Sequence, residues 1–114
     1  MRRVLLDANV PRKLRHELPG CIVRTAQQEG WGSLKNGQLL ATAQTNFDVL
    51  LSGDGNLQHQ QNPKRFDIGI VAIDTVSLRF LDIMRAIDEI RAAVARVSPG
   101  ELIVVGVPRP LRRR

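Results

Sequence analysis

The chain has 114 residues, 43% of them hydrophobic and 25% charged, a length and composition that fit one globular domain and exclude disorder throughout. No apolar run approaches the roughly 20 residues needed to span a bilayer. Asp7 stops the opening apolar run before a signal-peptide core can form, and the single Cys21 excludes an internal disulfide or a cysteine-cluster metal site.

These features predict a cytoplasmic protein with no membrane partner. The net charge of +6 points to polyanionic partners, and its distribution matters more than its size. Arg109, Arg112, Arg113 and Arg114 crowd a Pro-rich end, read as a basic tail over 108–114 that follows a domain over 1–107. Arg2, Arg3, Arg12, Lys13 and Arg15 surround the first predicted strand and the segment after it. The alternative for both groups is a disordered end and a solvated helix face.

In chain order, Val4-Leu5-Leu6 is an uninterrupted apolar run, as a strand buried on both faces requires, and it ends in Asp7. Asn9 suits the cap of a helix with Pro11 in its first turn, running to about Leu18 and ended by Pro19-Gly20. A short strand over 21–25 follows, then an ambiguous stretch around Trp31, then a helix capped by Asn36 that carries Gln38, Leu39, Leu40 and Ala43. The segment 47–51 repeats the design of the first strand and leads to Ser52-Gly53-Asp54-Gly55-Asn56. After a polar segment over 57–61, a fourth apolar strand spans 67–73. Thr75 or Ser77 caps the longest predicted helix, 78–97, whose apolar residues Leu81, Met84, Ile87, Ile90, Val94 and Val97 recur at spacings of three and four. Pro99-Gly100 break it before a last strand over 101–107. Strands alternating with helices predict a three-layer α/β fold with a mostly parallel central sheet.

If the first and third strands are parallel neighbours, Asp7 and Asp54 meet on one rim, where open α/β sheets bind ligands. Two carboxylates there repel each other, and a hard cation such as Mg²⁺ relieves the repulsion and can activate water for phosphodiester cleavage. Asn9 and Asn56, each two residues beyond an acid, could orient a water on that cation. The plainer alternative makes Asp7 a helix cap and Asp54 a member of a Gly-flanked turn. His16 and His59 belong to no nucleophile–His–acid set, and Gly53 and Gly55 form no nucleotide-binding fingerprint.

Leu5-Leu6-Asp7-Ala8-Asn9-Val10-Pro11 resembles the LLDEN-P opening of short bacterial PIN-like proteins, toxin components of toxin–antitoxin pairs. Glu29-Gly30-Trp31, Lys35-Asn36-Gly37-Gln38-Leu39-Leu40, Phe47-Asp48-Val49-Leu50-Leu51 and Asp54-Gly55-Asn56-Leu57, with Gln60-Gln61-Asn62, are similar to one branch of them, in the same order over about the first two-thirds of the chain. The resemblance implies a PIN-like α/β/α fold and Mg²⁺- or Mn²⁺-dependent RNA cleavage, with Asp7 and Asp54 as metal ligands. It also implies an antitoxin protein as partner and a homodimer. One departure bears on the chemistry: where that branch carries an acid in the helix motif, this chain has Gln38, a neutral and weaker ligand for a hard cation.

Three functions follow as expectations. The first is a metal-dependent ribonuclease toxin using Asp7, Asp54 and position 38. The second is a catalytically weak PIN-like module that binds RNA or a protein. The third is a phosphotransfer domain with Asp7 as acceptor, disfavoured because Asn9 replaces the second acid of the Asp-x-Asp pattern and no lysine follows Arg65.

Overall fold

A computed structural model describes residues 1–109. Of the predicted basic tail, residues 110–114 lie outside the described residues. Five parallel strands form one sheet: β1 (Arg3–Leu6), β2 (Ile22–Thr25), β3 (Val49–Ser52), β4 (Gly69–Asp74) and β5 (Leu102–Gly106), in the order β2-β1-β3-β4-β5. The connections are a 3₁₀ helix (Arg12–Glu17), α1 (Asn36–Ala43), α2 (Leu57–Gln60) with a short 3₁₀ turn (Pro63–Arg65), and α3 (Phe80–Ile83), which passes through a 3₁₀ turn (Met84–Ala86) into α4 (Ile87–Arg96). No helix among the described residues is long and apolar enough to cross a membrane.

The apolar runs are buried on both faces because alternate residues feed two separate cores. Val4, Leu6, Val49, Leu51, Val71, Ile73 and Val105 face one core, completed by Leu14 of the first 3₁₀ helix, by Leu18 just after it, and by Ile83, Ile90, Val94 and Val97. Leu5, Leu50 and Ile70 face the other, completed by Leu39, Leu40 and Ala43 of α1 and by Leu57 of α2. Helices thus cover both sides, giving the expected three-layer α/β arrangement.

The chain turns left from β1 to β2 over the first face, then right to β3 and β4 over the second. These three connections share one hand. The step from β4 to β5 continues rightward, yet α4 packs on the first face, so this connection has the opposite hand, against the usual rule for crossovers. The outer part of β5 is therefore left without a helix on its second face, where Val104 is 38% exposed.

Both Pro-Gly pairs make type II turns that return the chain into a strand. Leu18 O accepts from Cys21 N, and Ser98 O from Glu101 N, with Gly20 and Gly100 at φ of 79° and 80°. Arg2 closes the far end of α4 by donating to Val94 O (3.2 Å) and Val97 O (2.5 Å), a cation placed at the negative end of a helix.

Several expectations are corrected. The segment after β1 is a 3₁₀ helix rather than an α-helix, and Asn9 does not cap it; Pro11 holds that position, and the Asn9 amide is drawn across to β3 instead. Asn36 is the first residue of α1 rather than its cap, its amide being engaged with Asp54 and Gln60. The single long helix over 78–97 is three pieces, and the break holds neither Pro nor Gly. Its buried face is as expected at Ile90, Val94 and Val97, with Met84 and Ile87 packed against the core, but at the start Ile83 and Ala86 are buried instead of Leu81, which is 78% exposed. Ser77 does act near its start, accepting from Arg79 N and donating to Asp82 at 2.6 Å. Arg2 and Arg3 belong at the opposite rim from Asp7, where Arg3 stacks over Phe47 and donates its backbone N–H to Asp48, so they form no common group with Arg12, Lys13 and Arg15.

Sheet and helix layer approach closely at Gly69. A Cβ there would lie 2.7 Å from Val97 Cγ1 and 3.2 Å from Ser98 O. Gly69→Ala is expected to lower stability by about 1–3 kcal/mol, the usual cost of overpacking, read as an unchanged m-value with a lower urea midpoint. An unaltered midpoint would show that the α4 end moves aside freely.

Candidate active site

The order β2-β1-β3-β4-β5 reverses direction between β1 and β3, and open α/β sheets form their ligand crevice at the carboxyl ends beside such a reversal. Parallel pairing aligns Leu6 with Leu51, so the residues that follow, Asp7 and Ser52-Gly53-Asp54, emerge side by side. The expected juxtaposition of the two acids is therefore present, and Asp48 lies at the opposite rim.

Asp7 is 8% exposed and still belongs to the sheet ladder, donating its N–H to Leu51 O. Its Oδ1 accepts from Ala8 N at 2.7 Å and its Oδ2 from Ser52 Oγ at 2.9 Å. The Ser52 hydroxyl, fully buried, accepts in turn from Asp54 N at 3.1 Å. One hydroxyl thus stands between the first carboxylate and the backbone of the second acid. Asp54 is half-buried; its Oδ1 accepts from Asn56 N at 3.0 Å and its Oδ2 from Asn36 Nδ2 at 3.1 Å. Asn36 also reaches Gln60 Oε1 at 3.3 Å, tying the start of α1 to α2 through the acid.

Every donor to these two carboxylates is neutral. Among the described residues the salt bridges are Arg24–Glu29, Arg91–Glu17 and Arg91–Asp88, and none involves Asp7 or Asp54. Neutral donors orient the oxygens without cancelling their charge, so two negative charges sit in the crevice. Each carboxylate oxygen can accept a second bond. That donor set fits a hard divalent cation held by two carboxylates and completed by water and phosphate oxygens. No group of three or more His, Cys, Asp or Glu side chains arranged to hold a metal occurs among the described residues.

The other expected residues are placed differently. Asn9 lies at the crevice, but its Oδ1 accepts from Gly53 N at 2.9 Å, so it clamps the β1 and β3 ends together. Asn56 acts through its backbone, and its side chain is exposed. Gln38 sits exposed in the first turn of α1, and among the described residues its amide makes no hydrogen bond to either acid. Gly53 and Gly55 serve packing: a Cβ on Gly53 would collide with Leu78 Cδ2, and one on Gly55 would lie 3.0 Å from Asp74 Oδ1 and 3.3 Å from Asp74 Cα.

Asp74 was not foreseen. It is exposed at the end of β4, against the Asp54 loop. The signal was available, because the fourth apolar run also ends in aspartate, as the first does. Ser52 was passed over as one residue of a turn, since nothing local shows that its hydroxyl will be buried between two acids.

Ser52→Ala would leave one oxygen of the buried Asp7 carboxylate and the Asp54 N–H without their shared partner. A loss of about 1–3 kcal/mol is expected, measured by urea denaturation. A loss no larger than that of an exposed Ser→Ala control would show that the hydroxyl does not hold the two strand ends. Comparison of the chain with models of known protein families, with curated proteins and with solved structures returns no match.

Proposed function

We propose that this protein is a metal-dependent ribonuclease of the PIN-like kind, the toxin half of a toxin–antitoxin pair, with chemistry centred on Asp7 and Asp54. The observation that carries the reading is that the Ser52 hydroxyl joins the Asp7 carboxylate to the Asp54 backbone, so that both acids stand on one rim in the crevice where the strand order reverses. The absence of a salt bridge to either acid among the described residues supports it, because carboxylates without a paired cation favour a divalent ion.

In this reading Asp7 and Asp54 hold Mg²⁺ or Mn²⁺, which when bound supplies Lewis acidity toward a phosphodiester. Ser52, Ala8 N, Asn56 N and Asn36 fix the directions of the carboxylate oxygens. Asn9 keeps the β1 and β3 ends in register through Gly53 N. Asp7 is nearly buried, which excludes bulk water from one side of the crevice.

The second reading, a PIN-like module that binds RNA or a partner protein without cutting, is favoured by Gln38. With a neutral amide at that position the rim carries one charge fewer than the resemblance implies, and the cation is held more weakly. The third reading, phosphotransfer to Asp7, draws no support from the geometry: its carboxylate is nearly buried and both oxygens are engaged.

The test compares wild type, Gln38→Glu and Asp7→Asn by calorimetric titration of Mn²⁺ and by cleavage of a mixed-sequence RNA. Gln38→Glu is nearly isosteric and exposed, and it adds an acid to the first turn of α1, where negative charge is mildly stabilising. It is expected to bind Mn²⁺ more tightly and cut faster than wild type, with both properties lost in Asp7→Asn. If Asp7→Asn abolishes both while Gln38→Glu changes neither, position 38 lies outside the site. Metal-free, inactive behaviour of all three would leave the binding module.

A further inference from the structure

A cleft of about 450 Å³ lies between the first 3₁₀ helix and the start of α3, lined by Lys13, Arg79, Phe80, Leu81 and Asp82. Such a volume is in the range that receives one small organic unit. It opens beside the acidic crevice. Leu78, the residue before Arg79, lies over Gly53, and Asn9, four residues before Lys13, accepts from Gly53 N.

The two cations of this cleft are exposed, and neither forms a salt bridge among the described residues. Asp82, the acid in the lining, is engaged by the Ser77 hydroxyl at 2.6 Å. Arg12 and Arg15 on the same 3₁₀ helix add to the positive potential. The apolar wall is made by Leu81, 78% exposed, and Phe80, half-buried with its inner side on the core. Two cations beside an apolar ledge match phosphates beside an unstacked base.

Building on the ribonuclease reading, we propose that this cleft binds a single-stranded RNA segment leading to the Asp7–Asp54 crevice, with Lys13 and Arg79 on its phosphates and Phe80 and Leu81 against a base. The placement separates the roles by charge: acids on the β1 and β3 ends, cations on the helices flanking them. A strand held there is delivered to the acids without its phosphates having to approach two carboxylates unaided.

The test measures anisotropy of a short labelled single-stranded RNA with EDTA present, over about 50 to 200 mM salt. The variants are Lys13→Ala/Arg79→Ala and a control pair, Arg65→Ala/Arg96→Ala, which removes the same charge from exposed positions at the amino ends of β4 and β5. All four side chains are exposed, so circular dichroism should show intact folds. The cleft pair is expected to weaken binding about tenfold or more and to reduce the magnitude of the salt slope by about 1.4, two single-strand phosphate contacts, while the control stays near wild type. Equal weakening in both pairs, no binding by wild type, or duplex RNA bound as tightly as single-stranded RNA would each overturn the proposal. Since no metal is present, the two readings fail separately. A wild type that binds through Lys13 and Arg79 but never cuts removes only the nuclease. A cleft variant that cuts with unchanged KM removes only the cleft.

Discussion

One buried hydroxyl holds the two halves of the sheet together at the end that matters. Ser52 donates to Asp7 and accepts from Asp54 N, so the carboxyl ends of β1 and β3 share a single buried polar atom. Burying the Asp7 carboxylate this deeply is unfavourable unless its oxygens are satisfied, and Ser52 and Ala8 N satisfy one each. The Asn9–Gly53 bond adds a second clasp across the same two ends. Together they make the crevice a rigid feature of the sheet, the kind of placement that keeps functional groups in fixed geometry.

Charge in this protein is segregated by level. The strand ends on the carboxyl rim carry acids, whereas the 3₁₀ helix and the α3 start carry cations. At the opposite rim Arg2 and Arg3 serve the fold, one closing α4 and the other stacked on Phe47. Arg12, Lys13, Arg15 and Arg79, none in a salt bridge among the described residues, stand where a polyanion would approach the acids, and this is a statement about encounter as much as about affinity. The reversed hand of the β4 to β5 connection has a consequence of its own, since α4 is drawn to the same face as the first 3₁₀ helix. That places the α3 start opposite Lys13, and so creates the cleft between them.

The burial code was legible in the chain because it is written locally. Three apolar residues in succession before Asp7, and again before Ser52, require strands covered on both faces, and both cores exist. The Pro19-Gly20 and Pro99-Gly100 pairs are turns because the positive φ at glycine and the fixed φ at proline are properties of the residues themselves. Parallel order followed from connections long enough to cross over. With it came the meeting of Asp7 and Asp54, since parallel neighbours end on the same side.

What the chain alone could not decide were the partners of its polar side chains. Asn9 and Asn36 both read as helix caps, and each would serve as one. Both instead bond to the β3 loop, because residues distant in sequence arrive with better-placed groups. The phase of the last helix was likewise misjudged at Leu81, since a periodic pattern does not say where a 3₁₀ turn will shift it. The sequence by itself determined the parallel α/β layers and the acids at strand ends, through residue-level preferences for burial and turning. Only the tertiary structure decided that Ser52 joins two of those acids, that Asp74 stands beside them and that Lys13 faces Arg79. Each of those depends on which distant segments share a rim.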